Sequence, residues 1–467
     1  VLSVAPGTVP VVTSRDRGIV LGVMCVGYFL VLLDVTIVNV ALPSIDRDLD
    51  PGVSGLQWVV DGYALPLAAL LLAGGTTGDR RGHKQVALLG LAVFGVGSLA
   101  CGLAPGTVAL VASRAVQGVG AAMLLPTTLA VIGRAFPGRA EQARAIGIWA
   151  AVGSAALPAG PLVGGALVEW LDWRAVFLVN VPIVIVAGVV AHRTVVESRD
   201  RSTRPLDVPG VLSGAGFLAA STAAVIGSER GGLSPLVTAM AALSLGLLVC
   251  FVLVEGRAAD PVLPLGLLRR PAFTVANATA GVMNFGTLGL LFLLTQYLQS
   301  VQGRPPLQSG VALLPLFLPL TLVAPYAGRV VARVGPRGPV VAGLITAAVG
   351  VSLFGGLGSD SSYARLLPVL VLWGVGLAVL TPAIVAAALA AVPGDAVGLA
   401  SGVNNTARQA GGVLGIALYG VVAGSPDQVH EFVRGLGRTG LGTAVLFLLV
   451  AGLCLSFVPR QVSPPDS

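Results

Sequence analysis

Apolar runs of roughly 20 residues follow one another along almost the whole chain, and they leave it few ways to fold. At about 1.5 Å per helical residue, such a run crosses the ~30 Å hydrocarbon core of a bilayer. Every backbone N–H and C=O inside that core must be bonded within the protein, which admits only helices or closed barrels. Residues 241 to 254 (AALSLGLLVCFVLV) are continuously apolar rather than alternating, so helices are selected over barrel strands. Composition agrees: 55% of the 467 residues are hydrophobic and 10% are charged, against about 25% charged in soluble domains. The 63 glycines and 31 prolines are spread through the apolar runs instead of forming a low-complexity tract. The chain reads as an all-α polytopic membrane protein.

Fourteen apolar windows are separated by charge or by Gly/Pro clusters, the first at 19 to 42 and the last at 439 to 458. The first is too long for a signal-peptide core and lacks a small-residue cleavage pattern, so it is expected to be retained as a span. Of the 28 basic residues, 19 fall on the side of the membrane that carries the N-terminus and seven on the other, with Arg114 and Arg408 inside spans. The positive-inside bias then places both termini in the cytoplasm. The net charge of +7 reports this topology rather than a nucleic-acid partner, because no basic arm exists. Cys25, Cys101, Cys250 and Cys454 lie inside apolar runs without paired spacing and read as small buried hydrophobes. His83, His192 and His430 sit in separate loops and form no metal-ligand pattern. With no phosphate loop either, neither an enzyme nor a resident metal or cofactor is expected.

Two blocks repeat within the chain. Gly75, Arg80, Gly82 and Lys84 recur as Gly328, Arg333, Gly335 and Arg337, each displaced by 253 positions, after the second helix of each half. Gly118, Gly120, Pro126 and Pro137 recur as Gly374, Gly376, Pro382 and Pro393, displaced by 256, in and just after the fourth. Two related halves that rock about a midplane site are a common transporter plan. The domains follow: a tail at 1–18, a six-helix bundle at 19–193, two additional helices with their loops at 194–258, a second bundle at 259–458, and a tail at 459–467.

Charge inside the spans is rare, which draws attention to Asp34, Asp61, Arg114 and Arg408. Each costs at least about 2.5 kcal/mol at a helix centre, so each is expected to face protein or water and to mark an ion path. Counting rises from the helix midpoints puts Asp34, Asp61 and Arg114 in one layer. Two carboxylates near one guanidinium form a candidate proton-coupling group, with Asp34 as the carrier; a fixed ion pair that specifies packing is the plainer alternative. Between helices 2 and 3, the loop with Gly75, Asp79, Arg80, Gly82 and Lys84 suits a tight turn. Asp79 is expected to pair with an arginine or a helix N-terminus, as a latch that breaks when the halves move. The second copy has Ala332 instead. Helix 5 combines Gly153, Gly160, Pro161, Gly164 and Gly165, which predicts a kinked, closely packed helix where the halves meet. In the C-terminal half, Asn277, Asn284, Gln296, Asn404, Asn405, Arg408 and Gln409 are candidate cavity residues.

Together these motifs resemble the fourteen-helix drug:proton antiporter branch of the major facilitator superfamily, over residues 15 to 458. The likeness rests on residues 33 to 43 (LDVTIVNVALP), the Gly75 to Lys84 loop, residues 114 to 122 (RAVQGVGAA), residues 160 to 165 (GPLVGG) and residues 173 to 182 (WRAVFLVNVP). It implies two six-helix bundles plus two extra helices. It further implies that Arg114 takes part in proton transfer, that the Gly75 to Lys84 loop governs interconversion, and that the helix 5 motif enforces exchange. His83 departs from the basic residue usual in that loop, and no acidic residue is embedded in the C-terminal half. Neutral or weakly charged lipophilic substrates therefore fit better than multivalent cations. The expected function is efflux of a small amphiphilic drug or antibiotic across a bacterial plasma membrane, in exchange for protons and conferring resistance, by a monomer that needs no cofactor. A dedicated exporter of a self-made antibiotic, another metabolite or a lipid is the alternative, and a non-transporting sensor a remote one.

Overall fold

A computed structural model describes residues 14–197, 207–228, 234–258, 261, 263–393 and 396–460. Arg199, Arg201, Arg204 and Arg230, and most of both tails, lie outside the described residues. The described chain is helical throughout. In order come α1 (Ser14–Leu49), α2 (Gly52–Arg81), α3 (His83–Gly102), α4 (Thr107–Ala135), α5 (Arg139–Trp170), α6 (Ala175–Leu178) and α7 (Asn180–Thr194). Then follow α8 (Val208–Gly227), α9 (Pro235–Glu255), α10 (Leu265–Leu268), α11 (Pro271–Gln296), α12 (Pro306–Ala312), α13 (Leu314–Leu322) and α14 (Ala324–Val334). The chain ends with α15 (Arg337–Ser352), α16 (Tyr363–Ala390), α17 (Val397–Ala423) and α18 (Val429–Phe457).

Twelve of the described helices are long and apolar enough to cross a membrane, or 13 if the bent pair α13–α14 counts as one span. That differs from the expected fourteen for two local reasons. Pro315, Pro319 and Pro325 each remove a backbone donor, and the tenth apolar window breaks into pieces, with a 47° bend between α13 and α14. The 27-residue α17 is long enough, but Asn404, Asn405, Arg408 and Gln409 interrupt its apolar run, and it is not among the twelve. Cys250 also differs from expectation: it is exposed on α9, whereas Cys25, Cys101 and Cys454 are buried.

Close packing reproduces the sequence repeat. A Cβ on Gly118 would meet the Tyr63 carbonyl, and one on Gly374 would meet the Leu316 carbonyl. Likewise Gly120 abuts the Phe94 amide and Gly376 the Ala347 amide. Gly82 and Gly335 both adopt positive φ, 107° and 80°, the conformation that a glycine accepts without strain. Each half also lends one helix to the seam. α5 packs lengthwise on α1 and reaches α12, where Gly165 meets the Pro306–Leu307 backbone and Gly310 meets the Pro161 carbonyl. α17 packs on α11 and reaches α2, where Gly402 faces Leu72 and Gly420 faces Gln57. α8 lies against both α2 and α17, and α9 packs on α8.

The contact registers set directions. α1 runs antiparallel to α4, α4 parallel to α2, α2 antiparallel to α17, α17 parallel to α11, and α11 antiparallel to α18. The start of α1 and the end of α18 therefore share one face, here called the terminal face. Hydrogen bonds that join the halves among the described residues lie at mid-depth or toward the far face. Gln57 Nε2 donates to the carbonyls of Ile416 (3.0 Å) and Ala417 (2.7 Å), Gln299 Nε2 to that of Val40 (2.9 Å), and the Leu307 amide to Glu169 (3.0 Å). Nearer the middle, Thr321 Oγ1 donates to the Ser154 carbonyl at 3.1 Å.

Candidate functional site

Asp34 on α1 and Arg114 on α4 meet inside the N-terminal half. Arg114 Nη1 donates to Asp34 Oδ2 at 2.5 Å, and only 1% of each residue is exposed. Gln117, one turn along α4, completes a knot: its Nε2 donates to Asp34 Oδ1 at 2.7 Å, and its Oε1 accepts from Arg114 Nη1 at 2.7 Å. Residues three apart on a helix share a face, which is why Arg114 and Gln117 can grip one carboxylate. Ser98 Oγ accepts from Gln117 at 2.9 Å and from Asn180 at 3.5 Å. Arg114 Nε donates to the Val59 carbonyl at 3.1 Å, and its guanidinium lies 4.3 Å from the Tyr63 ring centroid and 5.7 Å from that of Phe177. Such contacts suit a guanidinium held away from water.

Asp61 does not join this knot. Asp61 lies on an i, i+4 stripe of α2 with Gln57, Ala64, Leu65 and Ala68; the last three pack with Leu218 of α8 and Val413 of α17, and Gln57 bonds α17, while Val59, Gly62 and Tyr63 face Arg114. Asp61 is fully buried, and neither of its carboxylate oxygens has a hydrogen-bond partner. Depth alone had suggested one shared layer for both acids; helical phase separates them.

A cavity of about 220 Å³ lies between the halves. Leu32, Val35 and Thr36 of α1 contribute to its wall, so Asp34 stands directly behind that wall and faces the bundle interior. Four of the sequence candidates line the cavity: Asn284, Asn405, Arg408 and Gln409. The other three do not. Asn277 donates to the Phe273 carbonyl at 2.8 Å and accepts from Asn404 at 3.2 Å, which bridges α11 and α17. Gln296 is buried and donates weakly to the Phe292 carbonyl at 3.3 Å. Tyr28, also in the wall, stacks on Trp149 with centroids 3.8 Å apart and planes 12° apart.

α5 closes on α1 through its glycines: side chains at Gly153, Gly160 and Gly164 would overlap Tyr28, Thr36 and Ile37. At the terminal face, the acid at a helix N-terminus is Glu197, not Asp79. The amides of Lys84 and Gln85, at the start of α3, both donate to the Glu197 carboxylate at 3.2 Å. Asp79 instead lies 3.3 Å from His83 Nε2, one turn on. Gly75 rests against Pro126, and Gly82 leaves no room for a side chain beside Glu197.

Sequence reading missed Gln117, Ser98, Asn180, Tyr28, Trp149 and Glu197. Gln117 carried a signal, since it shares a helix face with a buried arginine. The others had none, because nothing local tells which neutral polar or aromatic residue turns toward a distant helix.

The Major Facilitator Superfamily model matches residues 24–416. The chain is 37% identical over 400 residues to multidrug resistance protein Stp of Mycobacterium tuberculosis, covering 85% of this chain and 74% of that protein. It is 35% identical over 449 residues to the methylenomycin A resistance protein of Streptomyces coelicolor, covering 94% and 93%. Among solved structures, a peptide transporter POT in complex with sulfate superposes with a TM-score of 0.70 at 15% identity, over 95% of this chain and 96% of that one, a likeness of fold alone.

Proposed function

The chain belongs to the major facilitator superfamily, and on that premise we propose that it exports small amphiphilic drugs or antibiotics from the cytoplasm in exchange for protons. Fourteen spans, cytoplasmic termini and a monomeric unit in a bacterial plasma membrane complete the reading. Resistance to drugs and to an antibiotic, named for relatives at 35–37% identity, supports the cargo class. The count of fourteen is supported by α17 and the bent α13–α14 pair, which add two crossings to the twelve apolar ones.

The observation that carries the coupling is the knot of Asp34, Arg114 and Gln117 behind the cavity wall. A proton on Asp34 cancels the charge that ties α1 to α4. Arg114 then keeps the Val59 carbonyl, the Gln117 oxygen and two aromatic faces, so it remains charged without stranding. α1, released from α4, moves with the cavity wall and with α5, its glycine-packed neighbour. Proton and cargo thus bias the same two-state element, as exchange requires. One proton crossing 100 mV supplies about 2.3 kcal/mol, enough for a cargo gradient approaching fiftyfold. Asp61 is a second titratable group in this scheme, at the seam of α2, α8 and α17, where it needs water or a donor before it can carry charge.

The hydrogen bonds at the far face support a state closed to the outside. The Gly165–Leu307 and Pro161–Gly310 contacts support α5 as the gate of that closure. Glu197 on the α3 amides, with Gly75, Asp79, Arg80, Gly82 and Lys84 beside it, supports the terminal-face latch. In proteoliposomes with an imposed pH gradient, Asp34→Asn should lower driven dye export by at least about 100-fold with the protein still inserted. Wild-type-like driven export by that variant would end the coupling scheme.

A further inference from the structure

Resting on the efflux reading, we infer that the cavity is built for cargo that carries one negative charge on an aromatic or otherwise flat apolar body. Among the described residues, Arg408 is the only formally charged side chain in the cavity wall. The two fully buried acids of α1 and α2, Asp34 and Asp61, do not line it: one is held by Arg114, and the other lies on the face of α2 that packs toward α8 and α17. Among the described residues no carboxylate pairs with Arg408, and its buried Nε has no hydrogen-bond partner. Tyr28 lines the same wall.

Arg408 is half-buried, and a guanidinium that faces a cavity is matched best by an anion, through two parallel N–H···O bonds. Arg114, on the same membrane-spanning scaffold, has such a partner from the chain itself. Arg408 has none among the described residues, which leaves the complement to the ligand. The rest of the wall indicates the ligand's shape. Tyr28, stacked on Trp149, offers a flat face, Leu32, Leu157 and Phe317 an apolar side, and Asn405 and Gln409 flank Arg408 on its own helix. A carboxylate, sulfonate or phenolate on an aromatic body satisfies both sides, whereas a cationic dye would set like charge against Arg408.

Anilinonaphthalene sulfonate and phenylnaphthylamine share ring systems and differ in the sulfonate, which makes them the probes. Binding to the full protein in lipid nanodiscs is measured by equilibrium dialysis, with empty nanodiscs subtracted. The sulfonate should bind about tenfold more tightly than the neutral amine. Arg408→Gln should bring that ratio to about one while the neutral probe keeps its affinity within about twofold, which also reports an intact cavity. Arg408→Lys, a point charge without the fork, should retain about a third of the preference and serves if the glutamine variant does not assemble. A ratio near one in the wild type, an unchanged ratio in either variant, or tighter binding of ethidium than of the sulfonate would overturn the inference. So would displacement of the sulfonate by chloride or phosphate as readily as by a second aromatic sulfonate, since Arg408 would then serve an inorganic ion. The two readings fail separately. Driven flux of the neutral probe without anion preference leaves export standing, and the preference without driven flux of any probe leaves only binding.

Discussion

The same four positions hold a hydrogen-bonded network in one half and an apolar cluster in the other. In the N-terminal half, Arg114 and Gln117 bond Asp34, and Ser98 and Cys101 in turn bond Gln117. At the repeat displacements of 253 for α3/α15 and 256 for α4/α16, the C-terminal half has Val351, Phe354, Leu370 and Trp373. All four are fully buried, and Phe354 meets Trp373 edge-on with ring centroids 6.0 Å apart. The backbones that hold these layers are alike: Gly97 sits against the Gln117 amide as Gly350 sits against the Trp373 amide. One helix arrangement therefore accepts either a charged knot or an aromatic plug. The difference teaches that the fold does not require the charges. A buried ion pair is often no more stabilising than apolar residues of the same volume, so its presence in one half points to work that the other half does not perform.

The sharpest way to break this comparison is to remove one partner of the knot. Arg114→Leu copies the C-terminal residue but strands Asp34, and should cost about 3–5 kcal/mol of stability together with driven transport. Adding Asp34→Leu should restore most of the stability and none of the transport, as read by thermal unfolding in detergent and by flux in proteoliposomes. Recovery of both would make the charges dispensable. In the other half, Trp373→Ala should cost about 3–5 kcal/mol through the cavity it opens, while the surviving protein keeps its proton-to-cargo ratio. An altered ratio would bring the C-terminal half into the coupling.

A smaller effect separates the two acids at the terminal face. Glu197→Ala uncaps α3 and should cost about 1 kcal/mol, with a measurable shift in the inward–outward balance read by cysteine accessibility. Asp79→Asn loses a half-exposed contact to His83 and should cost less than about 1 kcal/mol. The reverse order would return the latch to Asp79.

Much of the fold was legible beforehand because bilayer chemistry writes it into the chain. Helix ends agree with the apolar windows to within a few residues for α2, α3, α4 and α8, and the repeat reappears as matched glycine contacts. Asp34 and Arg114 stood out because charge in an apolar run is conspicuous. What could not be read was azimuth. Asp61 sits at the right depth for the knot but on the wrong side of α2, and Asn277 and Gln296 turn into the bundle while Asn405 and Gln409 turn to the cavity. Glu197 escaped notice because its partners lie more than 100 residues earlier in the chain.

From sequence alone came the helices, their doubling into related halves and the few charges sunk among them, since hydrocarbon penalises every departure from an apolar run wherever it occurs. Tertiary structure decided which of those charges meet. Pairing depends on the rotational phase of each helix and on which neighbour lies beside it, quantities set by packing across the whole bundle and carried by no single stretch of residues. That is why, among the described residues, Arg114 has a charged partner and Arg408 does not.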